Sequence, residues 1–246
     1  MTRDKGVTVK SILKSHRPTQ LLAVLVLGVV GMMALRAPLF GAESAVVIAP
    51  PKVDNPKAAG APQTAVLAGG CFWGVQGVYE HVRGVKNVLA GYAGGDRATA
   101  QYETVSSGGT GHAESVKITF DPAQISFGQI LQIAFSVAFD PTQVNGQGPD
   151  IGNEYRSEIF YADDSQKRVA ESYIEQLTGA HAFRRPIATR VDPLKGFYAA
   201  EDYHQDYLVH NPTAMYIVIN DLPKVENLKR VFPDLYSERP VLVSAR

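Results

Sequence analysis

The chain has 246 residues, 45% of them hydrophobic and 20% charged, a balance that predicts one large or two small globular domains and excludes disordered, collagen-like and coiled-coil classes. Its 24 basic and 24 acidic residues cancel, which argues against a basic nucleic-acid binder. A single cysteine excludes an internal disulfide and any multi-cysteine metal site.

The neutral total hides an asymmetry. Residues 1–36 hold six basic residues (Arg3, Lys5, Lys10, Lys14, Arg17, Arg36) and one acid, Asp4, which leaves 18 basic against 23 acidic in the remainder. Basic residues precede the apolar run LLAVLVLGVVGMMAL from Leu21 to Leu35, the order of a secretory leader. As a helix that run rises roughly 22 Å, short of the ~30 Å hydrocarbon core unless Arg36 snorkels and the span extends to Phe40. Residues 1–40 therefore read as a signal peptide or a signal anchor, with Ala42-Glu43-Ser44 a weak cleavage match. Basic residues on the N-terminal side place that end in the cytoplasm and the body outside it. On this reading the protein is extracytoplasmic, on the periplasmic side of a bacterial inner membrane, anchored or released.

Residues 41–62 carry four prolines and almost no aromatic residue, a composition expected of an extended, mobile linker. The folded domain is expected over 63–242. Thr64–Ala68 is a short apolar strand stopped by Gly69-Gly70. A helix follows from Trp73 to about Val82, then a strand Lys86–Tyr92. His112–Phe120 alternates as a half-buried strand. Ser126 caps a helix whose Phe127, Ile130, Leu131, Ala134, Phe135 and Ala138 share one face. Asp140–Tyr155 is a long polar loop. Ser157–Tyr161 is a strand, Asp164 or Ser165 opens a helix to Gly179, and Pro186–Val191 is a further strand. Ala199–Val209 and Pro223–Val231 read as helices. From residue 64 the order is strand, helix, strand, strand, helix, strand. That order predicts an α+β fold, a ferredoxin-like βαββαβ sandwich with C-terminal extensions.

Two clusters carry chemistry. In Ala68-Gly-Gly-Cys-Phe-Trp-Gly74 a strand ends, two glycines turn the chain, and Cys71 opens a helix, whose terminal amides stabilise a thiolate. Phe72 and Trp73 beside it can wall an apolar pocket. In Gly108-Gly-Thr-Gly-His-Ala-Glu114 a glycine-rich loop enters a strand, and Glu114 shares the buried alternation of Val116 and Ile118. A carboxyl on a buried face pairs with a base or has a raised pKa, as a general acid at neutral pH requires. His112 is assigned no role. The Asp140–Arg156 loop is long enough to be functional. A metal site from His112, His204 and His210 lacks any recognised ligand spacing.

Together these motifs resemble the A-type peptide-methionine sulfoxide reductases. The matching runs are Gly-Cys-Phe-Trp-Gly at 70–74, Gly-Tyr-Ala-Gly-Gly at 91–95, Gly-His-Ala-Glu at 111–114, Gln-Gly-Pro-Asp at 147–150 and Tyr-Arg-Ser at 155–157. Ala-Glu-Asp-Tyr-His-Gln at 200–205 and Tyr-Ile-Val-Ile-Asn-Asp at 216–221 follow in register. The resemblance spans about 63–242. It implies reduction of methionine-S-sulfoxide, free and in oxidised proteins, with no bound cofactor. Cys71 would be the nucleophile and Glu114 the acid on the sulfoxide oxygen. Phe72 and Trp73 would hold the methyl group, and Tyr102, Asp150 and Tyr155 would bind the S–O dipole. The chain departs from the pattern at Phe139, Gly146, Asn153 and Glu154. It also lacks recycling cysteines: Ser106 stands at one such position and the tail 233–246 holds none. An external thiol, from a thioredoxin-like protein, a glutathione system or dithiothreitol in vitro, is therefore expected to regenerate Cys71 in a monomeric enzyme. The alternatives are a cysteine hydrolase pairing Cys71 with His204, and a membrane-tethered binding module.

Overall fold

The computed structural model describes residues 1–2 and 44–243. The leader, with its expected signal peptide or anchor, lies outside the described residues. Among the described residues no helix is long and apolar enough to cross a membrane.

Eight strands and six α-helices succeed one another among the described residues. They are β1 (Gln63–Ala68), α1 (Phe72–Glu80), β2 (Val85–Ala93), the short α2 (Tyr102–Val105) and β3 (Ala113–Phe120). Then come α3 (Phe127–Ile133), β4 (Gly146–Gln147), β5 (Asp150–Ile151), β6 (Glu158–Tyr161) and α4 (Asp164–Gly179). The C-terminal part holds β7 (Arg190–Pro193), β8 (Phe197–Ala199), α5 (Tyr207–His210) and α6 (Leu222–Val231). β4 and β5 form a separate hairpin; the other six strands form one sheet in the order β7-β6-β1-β3-β2-β8. Its four central strands, with α1 and α3 in the connections, follow the expected strand–helix–strand–strand–helix–strand order. Every pairing is antiparallel except β6 with β7.

Alternation along the strands splits the interior in two. Leu67, Val88, Ala90, Val116, Ile118 and Ile159 pack with the helices in the large core, while Val66, Ala68, Ala93, Ala113 and Phe160 form a small cluster with Leu194 and Phe197. Ser126 caps α3 in a reciprocal box with Gln129, as its sequence suggested. The expected helix to Ala138 is completed by a π-helical turn over Ala134–Ala138.

Three expectations are corrected here. The strand expected over 186–191 begins only at Arg190, where the chain comes alongside β6 in parallel. No single helix spans 199–209. Asp206 adopts φ +53° and is fully buried, which interrupts the helix, and Gln205 turns inward to hydrogen-bond Ala90 N and O on β2. The segment before the domain is irregular, as its composition suggested, but residues 46–54 are pinned to it. Gln132, Tyr173 and Gln176 donate to the carbonyls of Ile48, Ala49 and Pro50, and Asp54 accepts from Ser126 and Gly128. Ile48 is buried in the core.

Candidate active site

The C-terminal end of β1 delivers the thiol. Gly70 has φ +86°, a conformation that favours glycine, and its amide donates to Tyr155 O at 3.2 Å. A Cβ at Gly69 would overlap the ring of Phe139. The aromatic departure at 139 is thus a packing partner of the glycine turn, edge-to-face with Phe135 at 5.9 Å. Gly146, another departure, leaves no room for a basic side chain, because a Cβ there would lie 2.7 Å from Asp150 O. Cys71 is the N-cap of α1.

Glu114 arrives from β3, opposite Tyr92 of β2. Its Oε2 accepts the Phe72 N–H at 3.0 Å, so the acid is tied to the residue that follows the thiol. Arg156, buried, binds the glycine loop ahead of β3 to the turn carrying Tyr155: it donates to Gly111 O, His112 O and Asn153 O and pairs with Glu158 at 2.5 Å. His112, given no role by sequence, takes Gly95 N on Nδ1 and contacts Asp96 O through Nε2, which fixes this loop.

Cys71, Phe72, Trp73, Tyr102, Glu114, Asp150 and Tyr155, all expected from the sequence, line one cavity of about 150 Å³, together with Tyr216. A larger cavity of about 470 Å³, lined by Phe135, Phe139, Phe183 and Arg185 among others, holds no thiol. The small cavity carries the chemistry. Tyr216 was given no role in the sequence reading, although it opens the run at 216–221. Its hydroxyl donates to Asp150 Oδ2 at 2.5 Å. Tyr102 is set by Glu201, which accepts its N–H at 2.9 Å and the Tyr92 hydroxyl at 2.9 Å.

Trp73 is held on three sides. Tyr207 stacks on it at 3.8 Å, Tyr216 meets it edge-on at 6.0 Å, and its indole N–H donates to His204 Nδ1 at 3.1 Å. His204 thus serves the indole, which argues against a Cys71–His204 hydrolase.

The electrostatics separate acid from nucleophile. Burial pushes the Glu114 carboxyl up to about 8, with the charges of Asp150, Glu154 and Asp221 adding and the Phe72 amide opposing. Glu114 is therefore protonated at neutral pH. Burial also raises the Cys71 thiol well above its ordinary value, helped by Glu114, Asp221 and Asp150, while the Trp73 amide opposes. The helix-start lowering expected from sequence is outweighed by desolvation and the charges of Asp221 and Asp150, so the resting sulfur is a thiol. The site thus sets a protonated carboxyl and a thiol beside aromatic walls, and it can protonate a polar oxygen while sulfur attacks.

The model of one family, peptide methionine sulfoxide reductase, matches residues 63–235. The peptide methionine sulfoxide reductase MsrA 2 of Mesorhizobium japonicum is 59% identical over 187 residues, 76% of this chain and 96% of that protein. The MsrA 2 of Synechocystis is 52% identical over 191 residues, 76% of this chain and 89% of its own length. Among solved structures, methionine sulfoxide reductase A of Corynebacterium diphtheriae is similar with TM-score 0.54 and 31% identity, over 72% of this chain and 89% of that one. Reduced Mxr1 from Saccharomyces cerevisiae is similar with TM-score 0.56 and 31% identity, over 66% of this chain and 92% of that one. With the thiol, the protonated acid and the aromatic walls in one cavity, this chain belongs to the peptide methionine sulfoxide reductase family and is an oxidoreductase that reduces methionine sulfoxide.

Proposed function

We propose that Cys71 attacks the sulfoxide sulfur while Glu114 gives its proton to the sulfoxide oxygen. A sulfoxide oxygen leaves poorly unless protonated. Oxygen passes to Cys71, methionine departs as the reduced thioether, and a cysteine sulfenic acid remains. The thiol proton restores Glu114, so one sulfoxide and one thiol become one thioether and one sulfenic acid. Two external thiol groups then reduce the sulfenic acid, releasing water and a disulfide. Phe72 and Trp73 receive the methyl group; Tyr102, Asp150 and Tyr155 receive the oxygen. Methyl and oxygen held in different places select one epimer, the S form, in free and protein-bound methionine sulfoxide. The carrying observation is Glu114, raised to about 8 and anchored to Phe72 N–H beside the thiol.

The donor of the two thiol groups is a thioredoxin-like protein or a small thiol, because the single cysteine leaves the chain no partner of its own. Without reductant, excess substrate should yield about one methionine per enzyme, and dimedone should trap the oxidised sulfur on the Cys71 peptide. Mainly Cys71–Cys71 dimers on non-reducing gels during turnover would sink this cycle.

The basic-then-apolar leader supports repair of oxidised proteins outside the cytoplasm, with the domain anchored to the membrane or released from it. Alkaline phosphatase fused after Ala61 should be active in a bacterial host; an inactive fusion beside an active cytoplasmic reporter would overturn this location.

A further inference from the structure

The reaction as drawn uses a thiol, an acid and a wall of aromatic and tyrosine side chains. It uses no cation, yet one is buried at the site. Lys224 Nζ lies 3.3 Å from Asp221 Oδ1, with side chains 8% and 0% exposed. Asp221 closes a π-helical turn over Ile217–Asp221, and Lys224 follows in α6 at the i,i+3 spacing that puts both on one face.

The pair sits against the first turn of α1. A Cβ on Gly74 would overlap the Asp221 carboxylate and approach Lys224 Nζ to 3.1 Å. The last glycine of Gly-Cys-Phe-Trp-Gly therefore makes room for these charges, three residues after the sulfur. Stability is a weak reason for them, since well-packed apolar groups commonly serve as well as a buried ion pair. Asp221 Oδ2 is buried with no hydrogen-bond partner among the described residues, so part of its charge is left uncompensated.

We propose that Asp221, paired with Lys224 behind the first turn of α1, is a positioning residue for the reducing sulfur, a carboxylate that keeps Cys71 in its less reactive form. The proposal rests on Cys71 being that sulfur. Three acids from three elements face the thiol: Glu114 from β3, Asp150 from β5 and Asp221 from the π-turn; the phenols of Tyr102, Tyr155 and Tyr216 lie beside it. Asp221 favours the thiol over the thiolate. Lys224 stabilises the ionised forms of Asp221 and Asp150, so it maintains the negative charge that faces the sulfur. A thiol resists alkylation and peroxide, which act on the thiolate. In a chain with one cysteine that resistance protects the only reducing group.

Alkylation tests this without sulfoxide turnover, so its failure is distinguishable from failure of the reductase mechanism. Every carbamidomethyl group gained from iodoacetamide at thiol-reactive pH reports on Cys71, the sole cysteine. In the full chain, Asp221→Asn should raise the alkylation rate near neutrality by roughly 3–10-fold and move the pH midpoint down. Lys224→Met lets Asp221 take up a proton, so it should act in the same direction, and Lys224→Arg should restore wild-type behaviour. A purely structural role would change the rate without moving the pH midpoint, and arginine at 224 would not be specifically needed to restore it. If the single variants do not fold, Asp221→Asn/Lys224→Met removes both charges together and should still alkylate faster than wild type, because the carboxylate acts on the sulfur directly. Superimposable pH curves across the folded variants, or slower alkylation in Asp221→Asn, would overturn the proposal.

Discussion

Helix α1 has a buried glutamate near each end, and the two meet different fates. At its start Glu114 lines the cavity, one oxygen held by the Phe72 amide, with its pKa raised to about 8. At its finish Glu80 is fully buried and faces the Asp206 side chain. Burial first, then the carboxylate of Asp206, pushes Glu80 up to about 9. The C-terminal tail closes over this end: Val243 N donates to Asp206 Oδ1 and Val241 N to Glu80 O. The pKa shifts are alike, and what separates the sites is access and company. Glu114 opens on a cavity that holds a thiol; Glu80 is covered by the C-terminal tail. A raised pKa marks a functional acid only where a substrate can reach the proton.

The sharpest way to break this comparison is to neutralise each carboxyl in turn. Glu114→Gln should slow the chemical step by roughly 10²–10⁴-fold in a single-turnover assay. Glu80→Gln should change it by less than about threefold, since it touches no reacting atom. Equal losses would mean that burial near α1, rather than access to the cavity, is what the enzyme needs. A smaller effect lies in the pH profile. The proton on Glu114 is lost as pH rises through about 8, so single-turnover rates limited by proton donation should fall there, tending to tenfold per pH unit well above it. Glu80→Gln should keep that limb and Glu114→Gln should abolish it.

The two ends also differ in how much was legible beforehand. Cys71 and Glu114 stand on local signals: a strand stopped by glycines, a helix start, and an alternation that puts an acid on the buried face. Those signals are short-range, and the structure brings both residues to one cavity. Tyr102, Asp150 and Tyr155 carried no such local mark and came from family likeness. Tyr216, Asp221 and Lys224 were missed, because a helical pattern gives a face but not the neighbour it will meet. Gly74 held the one local clue, a glycine inside a helix, whose meaning appears only with the charges packed against it. The interruption at Asp206 and the stitches to residues 48–50 are likewise tertiary. The central strand order was readable because strands and helices alternate visibly in chain order. β8 was not, being three residues whose pairing with β2 is long-range.

The smallest expected effect concerns stability, and its sign follows from the same two carboxyls. Both have folded pKa values above the ordinary 4.5, so the folded chain keeps protons that the unfolded chain releases. That contribution is complete below the unfolded pKa and is lost as pH rises through about 8 for Glu114 and about 9 for Glu80. Between those limits stability should decline with a slope approaching about 1.4 kcal/mol per pH unit for each such group. Glu80→Gln removes one group and should flatten the decline, so that wild type and variant differ less at pH 9 than at pH 5.5, or cross. Glu114→Gln should flatten it over a narrower range, ending near 8, because the Phe72 amide already favours its charged form. Thermal unfolding of both variants against pH measures this. A Glu80→Gln curve parallel to wild type would mean that Glu80 is ionised in the fold, and the sealed end of α1 would then hold a carboxylate where the open end holds a protonated acid.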